Sequence, residues 1–349
     1  MKRGRYQISY ITNIKTVFLM LIILWHSSLP YEGNPFFTER ASVTWNVAAF
    51  TGGLFNVTLI SGYVFCSGYL YARSLKHKDR TVFMMIVERA ERLLTPYYTY
   101  GIVLLVPVYT FLDINSFGRP VHSGLAEGYK TMLLGQFSDY LWFFWMLFWV
   151  ALFFILISPL VKKNHPAAVF VITLAAAVCV DLFLADFPYF KISQTAPYLI
   201  CYFEGALVYT YEDKIRTIGV NTKRIAMAVL FAILVLFVIF TPSFFGVYDI
   251  VRPIGALFDY FLFVLLDDNR VWARISGSKL YGFLKEYRMD LYLLHMPWSY
   301  VTFRLLKPYI ENIPWLCITA GFLLTMATAY ILAKLKILII SGIRKDSDG

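Results

Sequence analysis

Apolar side chains fall along this chain in long blocks, separated by short polar stretches that gather most of the charge. A helix needs about 20 mainly apolar residues to cross a hydrocarbon core of about 30 Å. By that measure the blocks predict ten helices, near residues 11–30, 46–72, 93–112, 137–161, 166–186, 196–211, 225–241, 248–266, 286–304 and 316–340. No fixed-period repeat interrupts the series. The expected fold is therefore all-α: a polytopic transmembrane helical bundle of about ten spans, one domain over residues 1–349. The short polar tail 340–349 is expected to fray.

Composition fixes the solvent. Hydrophobic residues make up 59% of the chain and charged residues 15%, against about 25% charged in soluble domains, so the partner is the lipid bilayer. The net charge of +10 raises nucleic acid as a ligand, but no basic tail or RNA-binding motif occurs and none is expected. The basic residues instead sit between apolar blocks. With the N-terminus inside, 24 Lys and Arg fall on the inner side and seven on the outer, with Arg288 just inside a helix. That bias obeys the positive-inside rule and predicts both termini cytoplasmic. Residues 113–136, with Gly118, Pro120, Gly124 and Gly128, then form an outer loop. The basic N-terminus lacks an A-x-A-like cleavage site and reads as a retained signal-anchor. Cys66, Cys179, Cys201 and Cys317 show no C-x-x-C spacing, so neither a disulfide framework nor a metal site is expected.

Within this frame a few polar residues need a reason. Lys15 and His26 lie eleven residues apart, which on a helix is nearly the same face and about 16 Å of rise. An imidazole well inside a span is a functional candidate by default, the alternative being an interfacial hydrogen bond beside Trp25. Arg288, Tyr292 and His295 share another face, and Pro297 is expected to bend that helix. His295 is a second candidate, balanced against a structural hydrogen bond. Arg89 and Arg92, at i and i+3 on a helix leading into the membrane, could grip phosphate oxygens bidentately or simply anchor the span. Asp181, Glu204, Asp259 and Asp290 could orient a histidine or pair with Arg252 or Arg288. Ser61-Gly62-Tyr63 and Ser67-Gly68-Tyr69 offer small surfaces for close helix packing.

Lys15 ahead of His26, Ser67-Gly68-Tyr69-Leu70, Arg89-Ala-Glu-Arg92 with Leu-Leu-Thr-Pro96, Leu141-Trp142-Phe143, Phe203-Glu204-Gly205 and Tyr292-Leu-Leu-His295-Met-Pro297 occur in this order. Together they resemble the acyltransferase-3 family of bacterial membrane acyltransferases, over roughly residues 6–300. Lysine stands at position 15 where the family usually has arginine. The resemblance implies an O-acetyl or O-acyl transferase of the bacterial cytoplasmic (inner) membrane, drawing on acetyl-CoA or another acyl-CoA. Its acceptor would be a hydroxyl of a cell-surface glycan or a lipid-linked saccharide. It implies catalytic roles for His26 and His295 and donor binding by Lys15, Arg89 and Arg92. Two other readings stand beside it: a glycan exporter without coenzyme chemistry, and acylation of a peptide or amino acid by the same mechanism.

Overall fold

The computed structural model describes residues 2–32, 41–77, 80–112, 114–116, 119–120, 124–137, 140–240, 245–267 and 270–347. They are almost entirely helical, as expected: α1 (Lys2–Ser28), α2 (Asn46–His77), α3 (Val82–Tyr100), α4 (Val106–Phe111), α5 (Leu125–Leu133), α6 (Trp142–Leu156), α7 (Ser158–Lys162), α8 (Pro166–Phe183), α9 (Ala196–Thr217), α10 (Val220–Phe240), α11 (Phe245–Asp267), α12 (Arg270–Ser276), α13 (Lys279–Glu286), α14 (Arg288–Ile310) and α15 (Pro314–Ser347). The physical reason is the solvent. In hydrocarbon each backbone N–H and C=O must be paired within its own segment.

Among the described residues, five helical segments are long and apolar enough to cross a membrane: Asn13–Tyr31, α2, α8, α10 and Pro314–Leu335 of α15. The other five predicted blocks are helical too, within α3–α4, α6–α7, α9, α11 and α14. They fall short in length or apolarity, as helices walling a polar interior can. α8 and α10 leave apolar side chains such as Val171, Leu182, Ile225 and Phe240 exposed. In water such faces would aggregate, whereas in a bilayer they meet lipid.

Three local features depart from the apolar pattern. α15 runs on to Ser347, so the expected frayed tail is a helical extension. Residues 125–133 of the expected outer loop form α5, whose Met132 fills the space beside Gly101. The Tyr97 hydroxyl donates to the Met132 carbonyl at 3.2 Å. α3 carries Pro96 and passes into a π-helical turn at Gly101–Leu105 before α4, where Pro107 offers no N–H to the Val103 carbonyl four residues back.

α2 organises the interior, packing against α1, α9, α10 and α11. At its crossing with α9, a Cβ on Gly68 would overlap the Tyr202 carbonyl and one on Gly205 the Phe65 carbonyl. The small-residue segment thus lets two backbones touch. α1 and α2 are antiparallel: Lys15 meets Ser67, Phe18 lies by Gly62, and Glu32 by Gly52.

Candidate active site

A cavity of about 580 Å³ opens between α1, α2, α6, α9, α11 and α14. Lys15 and His26 both line it, so the stripe on α1 faces one enclosed space. Lys15 is buried, with its ammonium donating to Ser67 Oγ at 3.0 Å and lying 4.4 Å from the centre of the Tyr63 ring. Arg288 lines the same end, and the fields of Arg288 and Arg89 both reach Lys15. Arg89 is half-buried and its guanidinium donates to the Tyr202 hydroxyl at 3.4 Å. Arg92, three residues on, is exposed, and neither arginine lines the cavity. The predicted arginine pair is thereby divided between an inward and an outward side chain.

At the other end the two histidines meet. His26 Nδ1 lies 2.6 Å from His295 Nε2, and the rings are within 6° of parallel. Their centroids are 4.9 Å apart, no further than that contact plus the two ring radii, so the rings meet edge to edge rather than face to face. His295 is fully buried, and its Nδ1 lies 2.5 Å from the Tyr292 carbonyl. A carbonyl only accepts, so His295 Nδ1 must carry the hydrogen. The neutral ring then has its lone pair on Nε2, which accepts from His26 Nδ1–H. His26 is left with its own lone pair on Nε2. A chain of two hydrogen bonds from one backbone carbonyl therefore fixes which nitrogen of His26 can act as a base.

A third residue holds this pair. Pro297 lacks an N–H, so the carbonyl four residues back, at Leu293, has no helical donor. The Tyr140 hydroxyl donates to it at 2.9 Å, and the Tyr140 ring stands edge-on to His295 with centroids 5.5 Å apart. Tyr292 Oη in turn donates to the Tyr140 carbonyl at 2.8 Å. α14 runs through Pro297 as one helix, and the freed carbonyl has become an attachment point.

A family model described as an acyltransferase domain matches residues 8–334, nearly the whole chain. The chain belongs to the acyltransferase-3 family. No curated protein and no solved structure matches it. As an acyltransferase-3 protein with these apolar helices it is a multi-pass membrane acyltransferase. Motifs of the acyltransferase-3 pattern that lie far apart in sequence touch here: Lys15 of α1 bonds Ser67 of Ser67-Gly68-Tyr69, and His26 bonds His295.

The scattered acids separate. Asp290 accepts from the Tyr100 hydroxyl, and Asp259 is buried beside Gly62. Glu204 is partly buried on α9, and Asp181 is exposed on α8. None lines the cavity. Sequence reasoning missed Tyr140, Asn56 and the cavity positions of Arg252 and Lys191. Pro297 was the one signal that a hydroxyl donor was needed nearby.

Proposed function

We propose that this membrane acyltransferase moves an acyl group, acetyl first among donors, from cytoplasmic acyl-CoA to a hydroxyl of a cell-surface glycan or its lipid-linked precursor, in the bacterial inner membrane. The observation that carries the reading is a single cavity with Lys15 and Arg288 at one end and His26, braced by His295, at the other. The positive-inside bias assigns the lysine end to the cytoplasm, where Lys15, Arg288, Arg89 and Arg92 would meet the coenzyme's phosphates. About 16 Å of helix rise separates Lys15 from His26, a distance suited to an extended pantetheine arm. His26 Nε2 takes the proton of the acceptor hydroxyl as its oxygen forms a bond to the thioester carbonyl carbon. The C–S bond breaks, and the proton returns from His26 to the departing thiolate. His295 accepts the hydrogen bond that steadies His26 while it is charged.

An exporter would use the aromatic lining, but it has no need of two imidazoles in series beside a cation cluster. The paired histidines favour chemistry. The test is incubation of the purified protein in vesicles with radiolabelled acetyl-CoA and a glycan acceptor. Label should reach the acceptor as an alkali-labile ester, and His26→Ala should lower its rate by at least ~10²-fold while acyl-CoA still binds. Transfer by the alanine variant at the wild-type rate would overturn the assignment.

A further inference from the structure

Asn56, a half-buried amide in an apolar stretch of α2, lines the cavity. Its level follows from the register of α1 against α2. Lys15 meets Ser67, Phe18 lies by Gly62 and Glu32 by Gly52, so each residue forward along α1 matches one back along α2. His26 falls between the second and third of these contacts. Eleven residues on from Lys15 and eleven back from Ser67 bring it level with Asn56, and both side chains open into the same space. The partner of the amide sets its orientation. Arg252 of α11 donates to Asn56 Oδ1 at 3.4 Å. A guanidinium only donates, so the atom facing it must be the amide oxygen, and Nδ2 with its two hydrogens turns the other way. Among the described residues none accepts from Nδ2. The hydroxyls of Tyr140 and Tyr292 are committed to backbone carbonyls and the Trp25 N–H to Glu32. An amide donor left open in a cavity, level with a base, needs an acceptor, and a ligand supplies one.

We propose that Asn56 is a catalytic residue whose Nδ2–H donates to the thioester carbonyl oxygen as that oxygen takes up negative charge. The role rests on the proposed transferase reading and deepens it. The acceptor oxygen bonds to the carbonyl carbon while His26 Nε2 takes its proton, and the carbonyl π pair moves onto oxygen as an alkoxide held by Asn56. The C=O bond then re-forms, the C–S bond breaks, and the thiolate takes the proton from His26. An alkoxide formed in a cavity of low dielectric gains most from a donor already in place, and the bond from Arg252 holds this one. The contact strengthens as charge develops, so it lowers the barrier more than it tightens acyl-CoA binding.

The test uses the full chain in lipid nanodiscs and follows coenzyme A release from acetyl-CoA, with methyl glucoside and water both present as acceptors. Asn56→Asp keeps an oxygen for Arg252 and loses both N–H donors, whereas Asn56→Ala loses the whole amide. Each should lower kcat by about 10²-fold or more, with KM for acetyl-CoA within about threefold of wild type. A second acyl substrate, acetyldithio-CoA, carries sulfur in place of the carbonyl oxygen, and sulfur accepts hydrogen bonds weakly. Wild type should favour acetyl-CoA over this analogue. In both variants that ratio should fall by about tenfold or more, the effect of a hydrogen bond to a charged group. A variant damaged only in folding loses both rates together and keeps the ratio. A kcat for Asn56→Asp within about threefold of wild type, or a ratio unchanged in the variants, would overturn the role of Asn56 and leave the transferase reading standing. Release by wild type no faster than without protein would sink the transferase reading, and this role with it.

Discussion

Replacing His295 by alanine removes the acceptor of the His26 Nδ1–H bond from behind the cavity wall and leaves the lining residues in place. Two costs follow. In the resting protein a buried N–H loses its partner, which costs about 1–3 kcal/mol and releases the tautomer, so that Nδ1 competes with Nε2 for the lone pair. As the proposed base, His26 becomes cationic during transfer, and the bond to His295 becomes charge-assisted, worth about 1.5–3 kcal/mol. The second term exists only when the ring is charged, so it falls on kcat and corresponds to a loss of roughly 10- to 150-fold. The cations proposed to hold the coenzyme, around Lys15, are about 16 Å away along α1, so KM for acyl-CoA should stay within about twofold. His295→Gln offers a carbonyl acceptor and should recover part of kcat. The assay is steady-state release of coenzyme A by purified protein with saturating acceptor. An alanine variant with kcat within about twofold of wild type, or one that changes only KM, would refute the hydrogen-bonded pair as the base.

Two further outcomes follow from other parts of the structure. Arg89→Ala should raise KM for acyl-CoA about tenfold or more, whereas exposed Arg92→Ala should cost less, on the order of 1 kcal/mol; equal effects would mean that both side chains turn to the ligand. Glu32, just beyond the first span, is pushed up to about 7 by burial, opposed by hydrogen bonds from Ser28 Oγ at 2.6 Å and Trp25 Nε1 at 3.2 Å. Its folded-state value lies above the unfolded one, so its stabilisation is complete below about pH 4.5 and is lost as pH rises through about 7, at most on the order of 3 kcal/mol. Thermal unfolding in detergent should show this decline for wild type and not for Glu32→Gln, and identical pH profiles would show that Glu32 is not the titrating group.

The parts of this architecture that were legible in the sequence are those set by local chemistry. Apolar blocks of membrane length mark the helices because lipid permits little else. Lys15 and His26 share a face through helix period alone, and Gly68 sits where two backbones cross because a small residue is what such a crossing requires. Span number was less legible, since α11 and α14 bring Arg252 and Arg288 to the cavity and so do not present uniformly apolar surfaces. Arg89 and Arg92 show the limit of spacing arguments. Three residues is close enough to share a patch, yet only packing around the helix decided that one guanidinium turns toward Tyr202 and the other outward.

The proposed base depended on contacts that no local pattern encodes. His26 and His295 are separated by 269 residues, and the identity of the nitrogen that carries the lone pair rests on a carbonyl of α14. Tyr140 reaches that helix from 153 residues away, drawn to the one carbonyl that Pro297 leaves without a donor. A proline here creates an acceptor, the acceptor holds a tyrosine, and the tyrosine ring flanks His295, which is hydrogen-bonded to His26. Tyr140→Phe keeps the ring and removes the hydroxyl, so it isolates that linkage. If the linkage positions His295, the phenylalanine variant should lose kcat together with stability, by about 1–3 kcal/mol for the buried carbonyl left unpaired. If it serves the fold alone, stability should fall with kcat unchanged at temperatures well below unfolding.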